Sequence, residues 1–105
     1  MSFTGKENHA ITLSEAAEWT RAYRDANPGA TKGHFYGKDA IQAIINQSGC
    51  VGIRIYYAVD NNGAKQLIIT GVTSNENDLY NGILAERSLA CPPRCGVNNP
   101  LNSNT

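Results

Sequence analysis

The sequence carries no excess charge: nine Lys and Arg balance nine Asp and Glu over 105 residues. Nucleic-acid binding rests on clustered basic side chains that neutralise phosphates. Here the basic residues are scattered, so neither nucleic acid nor an anionic membrane surface is an expected partner. No apolar run approaches the ~20 residues of a membrane-spanning helix. The opening MSFTGKENHA lacks the apolar stretch of a secretory signal. These absences lead to the expectation of a cytoplasmic protein, whose thiols stay reduced. Three cysteines, an odd number, also suit a reducing compartment better than a disulfide framework. There is no GxSxG nucleophile motif, no metal-ligand spacing around His9 or His34, and no marked pair of carboxylates. Catalysis has no positive support, and the reading leans away from an enzyme.

What is present suits one small globular domain. Hydrophobic residues make up 41% and charged residues 17%, enough apolar content to bury a core and too little charge for a disordered chain. Residues 12–26, TLSEAAEWTRAYRDA, predict a helix: Thr12 and Glu15 form a capping box, and Leu13, Ala16, Ala17, Thr20 and Tyr23 share one face. Asn27-Pro28-Gly29 ends it. A shorter helix is expected over residues 40–48, with Asp39 as its cap, Ile41, Ile44 and Ile45 as its buried stripe and Gly49 at its left-handed end.

Val51, Ile53, Ile55, Tyr57 and Val59 alternate with Gly52, Arg54, Tyr56 and Ala58, the period of a half-buried strand. Asp60-Asn61-Asn62-Gly63 is a turn, and Leu67–Val72 returns as the hairpin partner. Two strands alone are marginal in water, so something must extend the sheet: the N-terminal residues, the GHFYG segment, the ILAE segment or another subunit. Periodicity leaves residues 83–90 open between helix and strand.

GHFYGKD at 33–39 falls short of a phosphate-binding loop, since the glycine spacing is one residue too short and Asp39 stands where the hydroxyl belongs. Arg54 and Tyr56 share the strand face opposite the apolar one. They are the candidate binding residues, because Arg beside Tyr is enriched at protein interfaces. The plainer reading, that these side chains cover a neighbour or pack under a loop, takes precedence. Cys91-Pro92-Pro93-Arg94-Cys95 offers half of a metal site, with ligands from Cys50, His34 or a second subunit to complete it and zinc as the metal. Both sulfurs can face one ion only if the chain turns, and a Cys91–Cys95 disulfide needs the same turn. An ordinary docked tail ranks first, the metal half-site second, and a disulfide or redox pair third.

The opening ITLSEAAEWTRAYRD, then KDAIQAII, GCVGIRIYY and the CPPRC…NNPLN ending resemble, in that order, a family of small uncharacterised bacterial proteins found in Bacteroidota. The resemblance is most specific at Gly49-Cys50 leading into Arg54-Ile55-Tyr56-Tyr57, and at Cys91-Pro92-Pro93 with Cys95. It implies a bacterial cytoplasmic protein and assigns no activity, ligand or site residue. The expected fold is α+β: two helices packed on one face of a small antiparallel sheet containing a central β-hairpin. Residues 1–90 are expected to form that domain, with 91–105 as an extended segment docked on it. The expected function is a noncatalytic interaction module, a homodimer or a binder of another protein; the alternative is a metal-binding protein using the CPPRC thiolates.

Overall fold

Asp60 builds the turn from which the larger sheet grows. Its carboxylate accepts the Asn62 N–H at 2.8 Å, the Ala64 N–H at 3.0 Å and the Gln66 side-chain amide at 3.0 Å. Gln66 foremost, then the two backbone donors, hold this carboxyl below the usual range. Gly63 follows with φ +81°, a left-handed conformation that glycine adopts without the clash of a Cβ.

The computed structural model describes residues 2–103. The chain divides into two units, Met1–Glu7 with Tyr36–Ser88, and Asn8–Phe35 with Leu89–Thr105. Its elements run α1 (Leu13–Ala26), β1 (Gly33–Phe35), α2 (Lys38–Ile45), β2 (Cys50–Val59), β3 (Lys65–Thr73), β4 (Leu84–Ala85) and β5 (Leu89–Cys91). The α+β class expected from sequence is the class observed.

In the first unit, β2, β3 and β4 form an antiparallel sheet in that order, so β2 is an edge strand. The hairpin register sets Ile53 opposite Gly71, Ile55 opposite Ile69 and Tyr57 opposite Leu67, with Arg54 opposite Thr70 on the other face. The ILAE segment supplies β4, pairing Ala85 with Ile69 and Leu84 with Thr70. Across the sheet lies α2, whose Ile44 is fully buried against Ile69 and Ala85, with Ile41 and Tyr36 packed around them. The Tyr36 hydroxyl also donates to the Leu67 carbonyl. On the opposite face Thr70 and Val72 are buried.

Three details of α2 differ from expectation, the first being Ile45, expected in the buried stripe and 43% exposed. The helix starts after Gly37, which is extended and makes no side-chain cap, so Asp39 sits in the first turn. There its charge still faces the positive end of the helix dipole. The helix ends at Ile45, so Gly49, with φ +80°, serves the turn into β2, where Cys50 N–H donates to the Gln47 carbonyl.

The second unit holds α1, β1, β5 and the C-terminal residues. Thr12 caps α1 by accepting the Glu15 N–H at 3.1 Å, and its hydroxyl donates to the Glu15 carboxylate. No residue of α1 is buried; Ala16, Ala17, Thr20 and Arg24 are its half-buried positions. The GHF segment, a candidate to extend the hairpin sheet, instead pairs with β5, Gly33 opposite Cys91 and Phe35 opposite Leu89. The final turn is held to the body by cations. Arg24 donates to the Leu101 and Ser103 carbonyls, and Lys32 Nζ to the Asn102 carbonyl.

Because Ile44 is fully buried in so small a core, Ile44→Ala should lower the stability of the first unit by about 2–5 kcal/mol, read by urea unfolding.

Candidate docking surface on strand β2

Alternation along β2 puts Arg54 and Tyr56 on one face, and the loop after β3 brings Asp78 to both. Arg54 Nη1 lies 2.5 Å from Asp78 Oδ1, and the Tyr56 hydroxyl donates to Asp78 Oδ2. The same Nη1 donates to the Glu76 carbonyl at 3.3 Å. Glu76 has φ 69°, a left-handed conformation uncommon for a side chain of its kind, in the turn closed by its own N–H donating to the Thr73 carbonyl. Asp78 is fixed by a backbone bridge to Val72. The Phe3 ring stands over the Arg54 guanidinium, 5.9 Å from ring centroid to Cζ, a cation–π distance.

The N-terminal segment is held there by Phe3 N–H donating to the Ser74 carbonyl and by the close approach of Gly5 to β2. A Cβ at Gly5 would fall 2.6 Å from the Val51 carbonyl oxygen, and φ there is +82°, so only glycine fits.

Tyr56 foremost, then Arg54, hold the Asp78 carboxyl below its usual range. The same carboxylate raises both partners, since losing a proton from either would weaken a bond to a fixed anion. The two candidate binding residues are therefore together, and both are engaged by a loop carboxylate. Sequence reasoning placed Asp78 in a turn and missed this role. A separation of 24 residues from Arg54 left no local signal for it.

The other face of β2 was expected to be the buried one, and it is the more exposed. Ile53, Ile55, Tyr57 and Val59 are 40%, 47%, 93% and 68% exposed. The cause is position. α2 has only eight residues, and the buried sheet residues clustered with its Ile44 are Ile69 of β3 and Ala85 of β4, none of them on β2.

The free edge of β2 coincides with this stripe. Asp60 N–H donates to the Ala64 carbonyl, making 60 and 64 a hydrogen-bonded pair. Alternation from there assigns the ladder bonds to Ala58, Tyr56 and Arg54. The N–H and C=O groups of Val59, Tyr57, Ile55 and Ile53 consequently point away from β3. Among the described residues, no backbone bond outside the ladder engages them.

No family model, curated protein or solved structure matches this chain. Its surface chemistry therefore has to be read from its own residues.

Cys91 and Cys95 are bonded as a disulfide, with Cα atoms 4.7 Å apart, and Cys50 is a free, half-buried thiol. The odd cysteine count thus resolves into one bridge and one thiol, although the disulfide ranked last on sequence grounds. Two consecutive prolines suggested an extended segment. Instead the chain turns, the Arg94 N–H donating to the Ala90 carbonyl at 2.8 Å, and the sulfurs meet. Bonded to each other they offer no thiolate, so the zinc expectation applies to the reduced chain alone. Among the described residues no three His, Cys, Asp or Glu side chains are grouped to hold a metal ion. Among the described residues no helix is long and apolar enough to cross a membrane.

An open cleft of about 440 Å³ lies between α1 and the C-terminal residues, with Glu18, Arg21, Arg24 and Ser103 among its lining. The Arg24 guanidinium there is engaged by two backbone carbonyls.

Two outcomes follow. A carboxyl depressed on folding stabilises the protein above its unfolded pKa, about 3.9, and that contribution is lost as pH falls through the folded value. The stability difference between wild type and Asp78→Asn should be full at about pH 6 and shrink below about pH 4, read by urea unfolding at each pH. Thiol titration of unfolded protein kept from reductant should count one thiol per chain, and three after reduction. Closing so short a loop is worth only about 2 kcal/mol by chain entropy, so Cys91→Ser with Cys95→Ser should still fold.

Proposed function

We propose that this chain is a noncatalytic interaction module that docks a protein strand along β2, forming a homodimer. The observation that carries the reading is the open edge of β2 beside the stripe Ile53, Ile55, Tyr57 and Val59. A long, apolar, unpaired edge is a template for another strand, and proteins that do not use one usually blunt it with charge or proline. In β2 the only ionised side chain is Arg54, which is tied to Asp78, and there is no proline. Contiguous exposed apolar surface of this kind marks interaction sites.

Arg54 and Tyr56 contribute to this module from the other face. Their bonds to Asp78 tie β2 to the loop after β3, and Tyr56 remains half exposed for contact. Main-chain bonds along the edge give affinity, and the alternating side chains give selectivity.

Sedimentation or native mass spectrometry should show a concentration-dependent dimer. Tyr57→Lys, placing a charge on the exposed stripe, should raise its dissociation constant at least about tenfold while leaving the circular dichroism spectrum unchanged. A chain that stays monomeric at every concentration removes the homodimer from this reading.

A further inference from the structure

We infer that the strand docked on β2 is β2 of a second copy, paired antiparallel about a two-fold axis at Ile55, so that the two three-stranded sheets become one sheet of six strands. This pairing rests on the docking role proposed for β2 and gives that role its partner and its register.

The open edge fixes which groups can bond. Ile53, Ile55, Tyr57 and Val59 direct their N–H and C=O groups outward, so they must form the hydrogen-bonded pairs of any new ladder. In an isologous antiparallel pair, a residue the same distance either side of the axis meets its counterpart. Side chains directly opposite share a face, so the axis has to pass through a residue position. An axis at Ile55 sets Ile55 against itself and Ile53 against Tyr57 of the second copy, ending short of the bulge at Val51 where Gly5 closes in. Every one of these apposed side chains is apolar or aromatic, and aromatic with β-branched is a favourable cross-strand pair.

Charge selects among the neighbouring registers. An axis at Arg54 would set two guanidinium-bearing residues directly opposite, with Cα atoms about 4.5 Å apart, the close spacing of a pair without ladder bonds. Like charges so placed are destabilising. An axis at Tyr56 avoids that clash but sets the two Tyr56 rings opposite each other and Arg54 against Ala58, so neither guanidinium meets an aromatic ring. The axis at Ile55 also sets Arg54 against Tyr56 of the second copy, twice over. The half-exposed aromatic ring then stands beside a guanidinium already neutralised by Asp78. With no net charge on the chain, two copies approach without mutual repulsion.

The test uses the full chain carrying Cys50→Ala, so that Cys91 and Cys95 remain bridged and each added thiol is alone. Under mild oxidation Ile55→Cys should form an intermolecular 55–55 disulfide at least about tenfold faster than Tyr57→Cys forms a 57–57 one. Paired Cα atoms about 5.5 Å apart lie within disulfide reach, and residues 57 of the two copies are displaced by four positions. A mixture of Ile53→Cys and Tyr57→Cys chains should cross-link as the heterodimer. In wild-type protein, raising the concentration should slow hydrogen exchange at the amides of residues 53, 55 and 57, a measurement independent of any variant's folding.

A dimer that cross-links faster at 57 or at Tyr56→Cys than at 55 overturns this register and leaves the docking role standing. A wild-type chain that stays monomeric, with unchanged exchange along β2, overturns the second copy as partner together with the homodimer.

Discussion

The ladder between β2 and β3 is the constraint on which the first unit depends. It runs from the Asp60 turn to the bulge at Cys50 and Gly52, and its register decides what can be covered. Ile55 opposite Ile69 brings one apolar side chain under Ile44 of α2 and leaves the other beside the edge. The same register sets Arg54 opposite Thr70, where Asp78, bridged to Val72, can reach it. A slip of one residue would exchange the two faces, withdrawing Ile69 from α2 and turning Arg54 into the apolar side. The polar bonds at the Asp60 turn therefore help set which apolar residues reach the core.

That core is small and lopsided. The buried apolar residues among those described are Ile44, Ile69, Val72 and Ala85, three of them on β3 or β4 and one on α2. None lies on β2, although β2 is the longest strand and the most regular in its alternation. Residues on β3 have a strand on each side and a helix above, so they lose water from several directions. A residue on β2 has a ladder on one side only. Burial in this sheet follows strand order more than hydrophobicity, which is why Val59 is more exposed than Thr70.

The local features of the fold were legible in the sequence. Thr12 followed by Glu15 marks the start of α1, Asn27-Pro28-Gly29 its end, and Asp60 through Gly63 the hairpin turn, because each acts through neighbours within four residues. What escaped depends on distant chain. The pairing of Gly33–Phe35 with Leu89–Cys91 joins segments whose own patterns are too short to declare strands. Asp78 looked like an ordinary loop residue until the fold set it beside Arg54 and Tyr56. Asp39 and Gly49 were legible in conformational type and misassigned by position, since α2 begins at Lys38 and stops at Ile45, leaving the left-handed glycine to the following turn. At the CPPRC segment the residue types announced chemistry without saying which, because the outcome turns on whether the backbone folds back at Ala90–Arg94.

Both faces of β2 can be understood through one distinction, between polarity that is satisfied and polarity that is left open. The Arg54 charge is met by Asp78 and shielded by Phe3, so it no longer guards the strand edge as a free cation would. Meanwhile the backbone groups beside Ile53, Ile55, Tyr57 and Val59 are left to water, flanked by side chains that disfavour it. A chain selected only to fold alone would gain from the reverse arrangement, a free charge on the edge and the apolar stripe turned beneath the helix. Here the one cation available to protect the edge is held by a loop instead. The arrangement is coherent once the edge is a contact surface, since a neutralised Arg54 lets another strand approach and the apolar stripe stabilises it on arrival.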